Sequence, residues 1–254
     1  MSPRRPVRAW IGKPHLDPAE LAGPRGLTEE VLRGEEEPEG DDPEGDDAFW
    51  ESLLTPERLA RIDAVVSARL RSVTVVLDRL LDAHNVAAVL RTAEGLGLSG
   101  VHVVSHDARD EAAHRRVTQD AHKWLEVEKH ASGAQAAREL MRLGFAVYAG
   151  HLDPAARSPM DISVDSPVAL LFGNEHEGPS AETLAACTGA FRIPMAGFTQ
   201  SFNVSVAAGI ALSQICAGRR AFLKVPGDLA PEDRRVLRSR FLRLAAKLAR
   251  RVKR

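Results

Sequence analysis

From Thr55 onward the chain switches between two hydrophobic periods. TPERLARIDAVVSARL sets apolar residues at 59, 62, 65, 66 and 70, with Thr55 as N-cap and Pro56 at the first helical position. That spacing predicts an amphipathic helix. Five short runs rich in β-branched residues then predict strands: 73–78 (VTVVLD), 101–105 (VHVVS), 145–150 (FAVYAG), 168–173 (VALLFG) and 191–195 (FRIPM). Helical patterns cover 86–96, 133–143, 180–187 and 203–216. Such alternation implies an α/β domain over 73–218, a parallel sheet with helices on both faces. Ligands in such sheets bind beyond the carboxyl ends of strands, so the loops after 78, 173 and 195 are the informative ones.

Leu237, Phe241, Leu244, Leu248 and Val252 form a last apolar stripe, with Arg238, Arg243, Lys247 and Arg250 on the other faces. Three fates suit this helix: packing on the domain, binding RNA, or lying on a membrane. Toward the other end, periodicity gives way to Pro, Gly and acid. The expected division is a disordered tail over 1–48, a basic N-terminal helix over 49–72, the α/β domain over 73–218 and a basic helical extension over 219–254.

Charge sharpens this picture. The 254 residues carry a formal charge of −1, yet residues 35–47 alone hold nine acidic side chains and no basic one. The remainder is therefore strongly cationic, and the near-neutral total is no argument against a polyanionic partner. Arg58, Arg61 and Arg69 on the first helix, Arg238, Arg243 and Lys247 on the last, and His84 and Arg116 between them are the candidate RNA contacts. Cys187 and Cys216 stand far apart without CxxC or Cys/His spacing. They predict neither a disulfide framework nor a zinc site, and they fit a reducing cytoplasm. No apolar run approaches the ~20 residues of a membrane span, and no apolar core follows MSPRRPVRAW to make a secretory signal.

In RLLDAHNVAAVLRTAEGLGLSG, Asn85 is the expected N-cap, Val86, Val89, Leu90 and Ala93 the buried stripe, and Gly97 the terminator, with Arg91 off that stripe. The GLG is no dinucleotide fingerprint, because G-x-G-x-x-G is absent after a strand; that removes a nicotinamide enzyme. VALLFGNEHEGPS runs an apolar strand into Gly173 and Gly178 bracketing Asn174, Glu175, His176 and Glu177. Glycines there permit close backbone approach to a ligand, and Glu175 suits an arginine or a ribose. His176 lacks companions at metal-ligand spacing. In IPMAGFTQSFNVSVAAG, Ser201 and Asn203 serve either as helix caps or as hydrogen-bonding groups for a ligand.

Together and in this order, HNVAAVLRTAEGLG, LLFGNEHEG and IPMAGFTQSFNVSVAAGIAL resemble the three motifs of SPOUT-type RNA 2′-O-methyltransferases, most closely the TrmH-like tRNA (guanosine-2′-O)-methyltransferase branch. The likeness spans residues 55–218, with an echo in LAPEDRRVLRSRFLRLAAKLA. It implies a deep C-terminal trefoil knot, a homodimer with cofactor pockets at the subunit interface, and S-adenosyl-L-methionine as methyl donor. It also implies catalytic roles for Arg91, Asn85 and Glu175, the latter two holding Arg91 or the ribose. The backbone of Leu171, Gly173, Ile193 and Met195, with Asn174, Ser201, Asn203 and Val204, would line the cofactor site, and no metal is required. A guanidinium is never deprotonated in proteins, so Arg91 is expected to anchor phosphate and stabilise charge on oxygen rather than to act as base. His176 stands where relatives usually carry Lys, and Thr118, Gln119 and Asp120 replace small residues. Both departures bear on substrate identity. The expected activity is methylation of tRNA, at a D-loop guanosine; ribosomal RNA, or a non-catalytic RNA-binding role on the same fold, are the alternatives.

Overall fold

The computed structural model describes residues 47–104 and 121–252. The acidic tail up to residue 46, together with Arg116, Thr118, Gln119 and Asp120, lies outside them. The described chain runs α1 (Asp47–Ser52), α2 (Pro56–Ser67), β1 (Val73–Asp78), α3 (Ala83–Gly95), β2 (Gly100–Val104), β3 (Glu126–His130), α4 (Gly133–Arg142), β4 (Ala146–Gly150), β5 (Val168–Phe172), α5 (Ala181–Ala185), β6 (Gly189–Phe191), α6 (Val204–Leu223) and α7 (Pro231–Val252). Every strand pair is parallel, in the order β3-β2-β1-β5-β4-β6.

The sheet is covered on both faces because its central strands are apolar on both sides. Val75, Leu77 and Leu170 pack with Val86, Val89 and Leu90 of α3 and Ala208, Ala211, Leu212 and Ile215 of α6. Val76, Ala169 and Leu171 pack on the opposite face with Ala136, Ala137 and Leu140 of α4. A separate apolar cluster joins Trp50, Ile62 and Val66 of α1 and α2 to Leu237, Phe241, Leu242, Ala245 and Ala246 of α7. Of the three fates open to the last helix, packing is the one observed. Its buried stripe turns through Leu242 and Ala245 rather than Leu244 and Leu248, which are only half-buried. Among the described residues no helix is long and apolar enough to cross a membrane.

Four local expectations are corrected. Asp82, not Asn85, caps α3 by accepting from the His84 amide, so the helix starts earlier and Asn85 sits inside its first turn. The strand expected over 191–195 covers only Gly189–Phe191. The Arg192 amide turns to the Arg157 carbonyl, and Pro194 cannot donate to a ladder. β3 was missed because its four leading side chains are exposed and carry no apolar alternation. Helix α6 runs past residue 216 to Leu223, where Lys224 ends it in the left-handed conformation (φ 58°).

Candidate active site

The loops after β4, β5 and β6 line an open cleft of about 480 Å³ at the carboxyl end of the sheet, and the loop after β1 is bonded to its rim. The volume falls in the range of pockets that hold a small ligand. The loop after β5 forms its rim. Its turn is tight at Gly173, where a Cβ would lie 2.2 Å from the Pro179 nitrogen and 2.4 Å from the Gly178 carbonyl carbon. Asn174 Oδ1 accepts from the amides of His176 and Glu177, and its Nδ2 donates to the Arg79 carbonyl. Glu175 is thereby aimed at the start of α3.

A chain of side-chain hydrogen bonds ties together the three loops after β1, β5 and β6. Asn203 Nδ2 donates to Asn85 Oδ1 at 3.0 Å, and Asn85 Nδ2 donates to Glu175 Oε1 at 3.0 Å. Glu175 also accepts from the Leu81 amide at 2.9 Å and the Asp82 amide at 3.3 Å. At the other end Asn203 caps α6, accepting from the Ser205 amide. Asn85 is therefore a relay, donating to one loop and accepting from another, which an amide can do and a carboxylate cannot. Burial pushes the Glu175 carboxyl up, but the donors from Leu81, Asn85 and Asp82 outweigh it and leave the group below its ordinary value.

Of the residues expected at the cofactor site, Gly173, Asn174, Ile193, Met195, Ser201, Asn203 and Val204 all line the cleft, as does Glu175. Leu171 does not. It lies within β5, its backbone in register between Val76 of β1 and Ala149 of β4 and its side chain fully buried against α4. His151, Leu152 and Gln200 also line the cleft and were missed. The signal was available for the first two, since they directly follow the strand read at 145–150. Of the two expected partners of Asn85 and Glu175, Arg91 or the ribose, Arg91 is not engaged: Asn85 and Glu175 bond to each other, and Glu175 to the Leu81 and Asp82 amides that lead into α3. Arg91 lies exposed on the outward face of α3, in line with His84, Ala88 and Gly95.

The cationic candidates divide by burial. Arg69 has no exposed surface: it donates to the Leu98 carbonyl at 2.6 Å and to Glu94 at 3.0 Å, under the Phe241 ring. It fastens α2 to α3 and α7 and cannot reach a phosphate. Arg238 is likewise engaged, with Asp63 and Glu51 each at 2.6 Å. Arg61 and His84 are exposed, and Arg58, Arg243 and Lys247 are half-exposed.

The model of the SpoU rRNA methylase family matches residues 72–213, which takes in all three loops. The chain belongs to this family. Among curated SpoU relatives, the tRNA (guanosine(18)-2′-O)-methyltransferase of Borreliella burgdorferi is 35% identical over 160 residues, 63% of this chain and 73% of that one. Among solved structures, the A. aeolicus TrmH/SpoU tRNA-modifying enzyme superposes with a TM-score of 0.66 at 27% identity, covering 74% of this chain and 96% of that one. The AdoMet-bound rRNA methyltransferase of Sinorhizobium meliloti gives a TM-score of 0.50 at 29% identity, covering 59% and 56%. The shared SpoU core is the six-stranded sheet with its flanking helices. The matched stretch ends before α7 and leaves out α1 and α2.

Proposed function

We propose that this chain transfers the methyl group of S-adenosyl-L-methionine to a ribose 2′-oxygen of tRNA, at a D-loop guanosine. The observation that carries this is the Asn203–Asn85–Glu175 relay, which ties the first motif to the two that line the cleft. The names of the Borreliella and Aquifex proteins support tRNA as substrate. The printed name of the Sinorhizobium enzyme supports ribosomal RNA as the second reading and AdoMet as donor.

The cleft suits the donor chemically. Val204 and Ala207 offer an apolar wall, Gln200 and Ser201 offer polar groups, and the 193–195 stretch is outside any strand ladder, with backbone groups available to an adenine edge. Bound there, the donor supplies an electrophilic methyl on a sulfonium. The chain's own residues orient and stabilise. Glu175, anchored on the Leu81 and Asp82 amides, fixes the rim. Asn85 transmits that position to the start of α6. Arg91 binds the phosphate beside the target ribose and stabilises negative charge growing on the 2′-oxygen, while the hydroxyl proton leaves to phosphate or water.

Arg91 is outside the lining of the cleft, and a homodimer supplies what one copy lacks. Phe198, Phe202 and Val206 are exposed at the entry to α6, which packs on α3. A second copy covering these apolar side chains would close the cleft and bring the Arg91 face into the interface. The proposed topology includes the deep trefoil knot. Its support is that α6 leaves the edge strand β6 yet packs back on central α3. Transfer itself needs no metal, and the enzyme works in the cytoplasm, where Cys187 and Cys216 stay free thiols, both pushed up to about 11 chiefly by burial.

The test incubates the protein and Arg91→Ala with unmodified tRNA or rRNA and methyl-labelled donor. Label in tRNA, reduced about 10²–10³-fold in the variant with donor binding intact, is expected. Label confined to rRNA would replace the substrate. Equal activity in the variant would overturn the role of Arg91.

A further inference from the structure

The outer edge of the sheet holds a cluster that the reaction does not use. His102 on β2 pairs in register with Glu128 on β3, and His130 follows two residues later on the same face. Their donor atoms converge. His102 Nδ1 lies 2.9 Å from His130 Nε2 and 3.5 Å from Glu128 Oε2, and His130 Nε2 lies 3.8 Å from Glu128 Oε1. Behind them, His130 Nδ1 is 3.1 Å from Glu139 Oε2 on α4, with the His130 side chain only 2% exposed. None of these residues lines the cleft.

We propose that His102, Glu128 and His130 bind one divalent cation of the zinc class per chain, fastening edge strand β3 to β2 and, through Glu139, to α4. Two imidazoles and a carboxylate are the donor set that borderline cations favour. A tetrahedral ion with bonds of about 2.1 Å spaces its ligand atoms roughly 3.4 Å apart, and the three observed separations bracket that value. Glu139 completes a carboxylate–histidine–metal arrangement: by accepting the Nδ1 proton it leaves the His130 Nε2 lone pair facing the site. His102 takes part by carrying its proton on Nε2, so uptake requires a change of tautomer and no change of fold. Glu128 is 61% exposed, which leaves an entry route and an open fourth position. The strand has need of such a fastening. Glu126, Val127, Glu128 and Lys129 are all exposed, and among the described residues β3 pairs on one side only. Sequence spacing hides the site, because His102 and His130 are 28 residues apart and meet only through the sheet register.

The experiment strips the full-length protein of metal and titrates it with Co²⁺, then displaces Co²⁺ with Zn²⁺. One equivalent of Co²⁺ with the intense visible absorption of a low-coordinate site is expected, together with a higher unfolding temperature in Zn²⁺. The dissociation constant should rise at least about tenfold in His102→Ala and in Glu128→Gln. The second variant alters an exposed side chain and keeps the test alive if the first disturbs folding. Absence of stoichiometric uptake by the folded wild type, or unchanged affinity in Glu128→Gln, would overturn the site.

Discussion

Replacing Glu175 by Gln tests the relay at its most connected point. The carboxylate accepts from two backbone amides and from Asn85 Nδ2, all at the start of α3. A neutral amide keeps one acceptor oxygen and turns an NH₂ group toward donors. Charge-assisted bonds are about twice as strong as neutral ones. One lost bond and two weakened ones, discounted for partial solvent access, come to about 1–2 kcal/mol near pH 7. For a chain of this size that is a fall of roughly 2–8 °C in melting temperature. The pH dependence has a definite sign. The folded Glu175 carboxyl lies below its ordinary value, so its contribution is complete above the unfolded value of about 4.3. The contribution is lost as pH falls through the folded value. Thermal unfolding of both proteins between about pH 7 and pH 3 should give curves that differ near neutrality and converge in acid. Equal stability near neutrality, or a gap undiminished in acid, would refute the reasoning.

Gly173→Ala should be the most damaging small substitution at the cleft, since the new Cβ meets Pro179 and Gly178 backbone rather than a movable side chain. A loss of about 3 kcal/mol in urea unfolding is expected, and wild-type stability would show that the turn can open. Arg69→Met removes the bonds to the Leu98 carbonyl and Glu94. It should cost about 3 kcal/mol or more while leaving the salt dependence of RNA binding unchanged; a reduced slope would return Arg69 to the RNA surface. Arg243→Ala combined with Lys247→Ala should lower the slope of log K against log salt by roughly 2. An unaltered slope would remove α7 from RNA contact.

The interior of this fold was legible because its strands are short apolar runs punctuated by glycine, proline and acid. β1 spans the residues that its pattern predicts, Val73–Asp78. β3 was illegible for the converse reason: an edge strand with exposed side chains has no buried face to print a period on. At the site, residue types could nominate Asn85, Glu175 and Asn203 but not their connection. Which side chain an amide will face is decided by the packing of α3 and α6 on the sheet, over separations of 90 and 118 residues. Cationic residues misled most. Arg58, Arg61 and Arg69 were expected on one helix, yet α2 ends at Ser67 and Arg69, just beyond it, is consumed by the carbonyls at the end of α3. Deleting 219–254 would not isolate RNA binding, because it cuts α6 short and uncovers Trp50, Ile62 and Val66.

The helical flank has a bearing on biosynthesis. Glu51 of α1 waits for Arg238, 187 residues later, and the apolar faces of α1 and α2 wait for Phe241 and Leu242. At about 5–20 residues per second, a ribosome leaves that oily surface without its partner for roughly 10–40 s. These two helices are thus among the last to be satisfied, and the nascent chain presents a natural station for a chaperone until the final turns of α7 arrive.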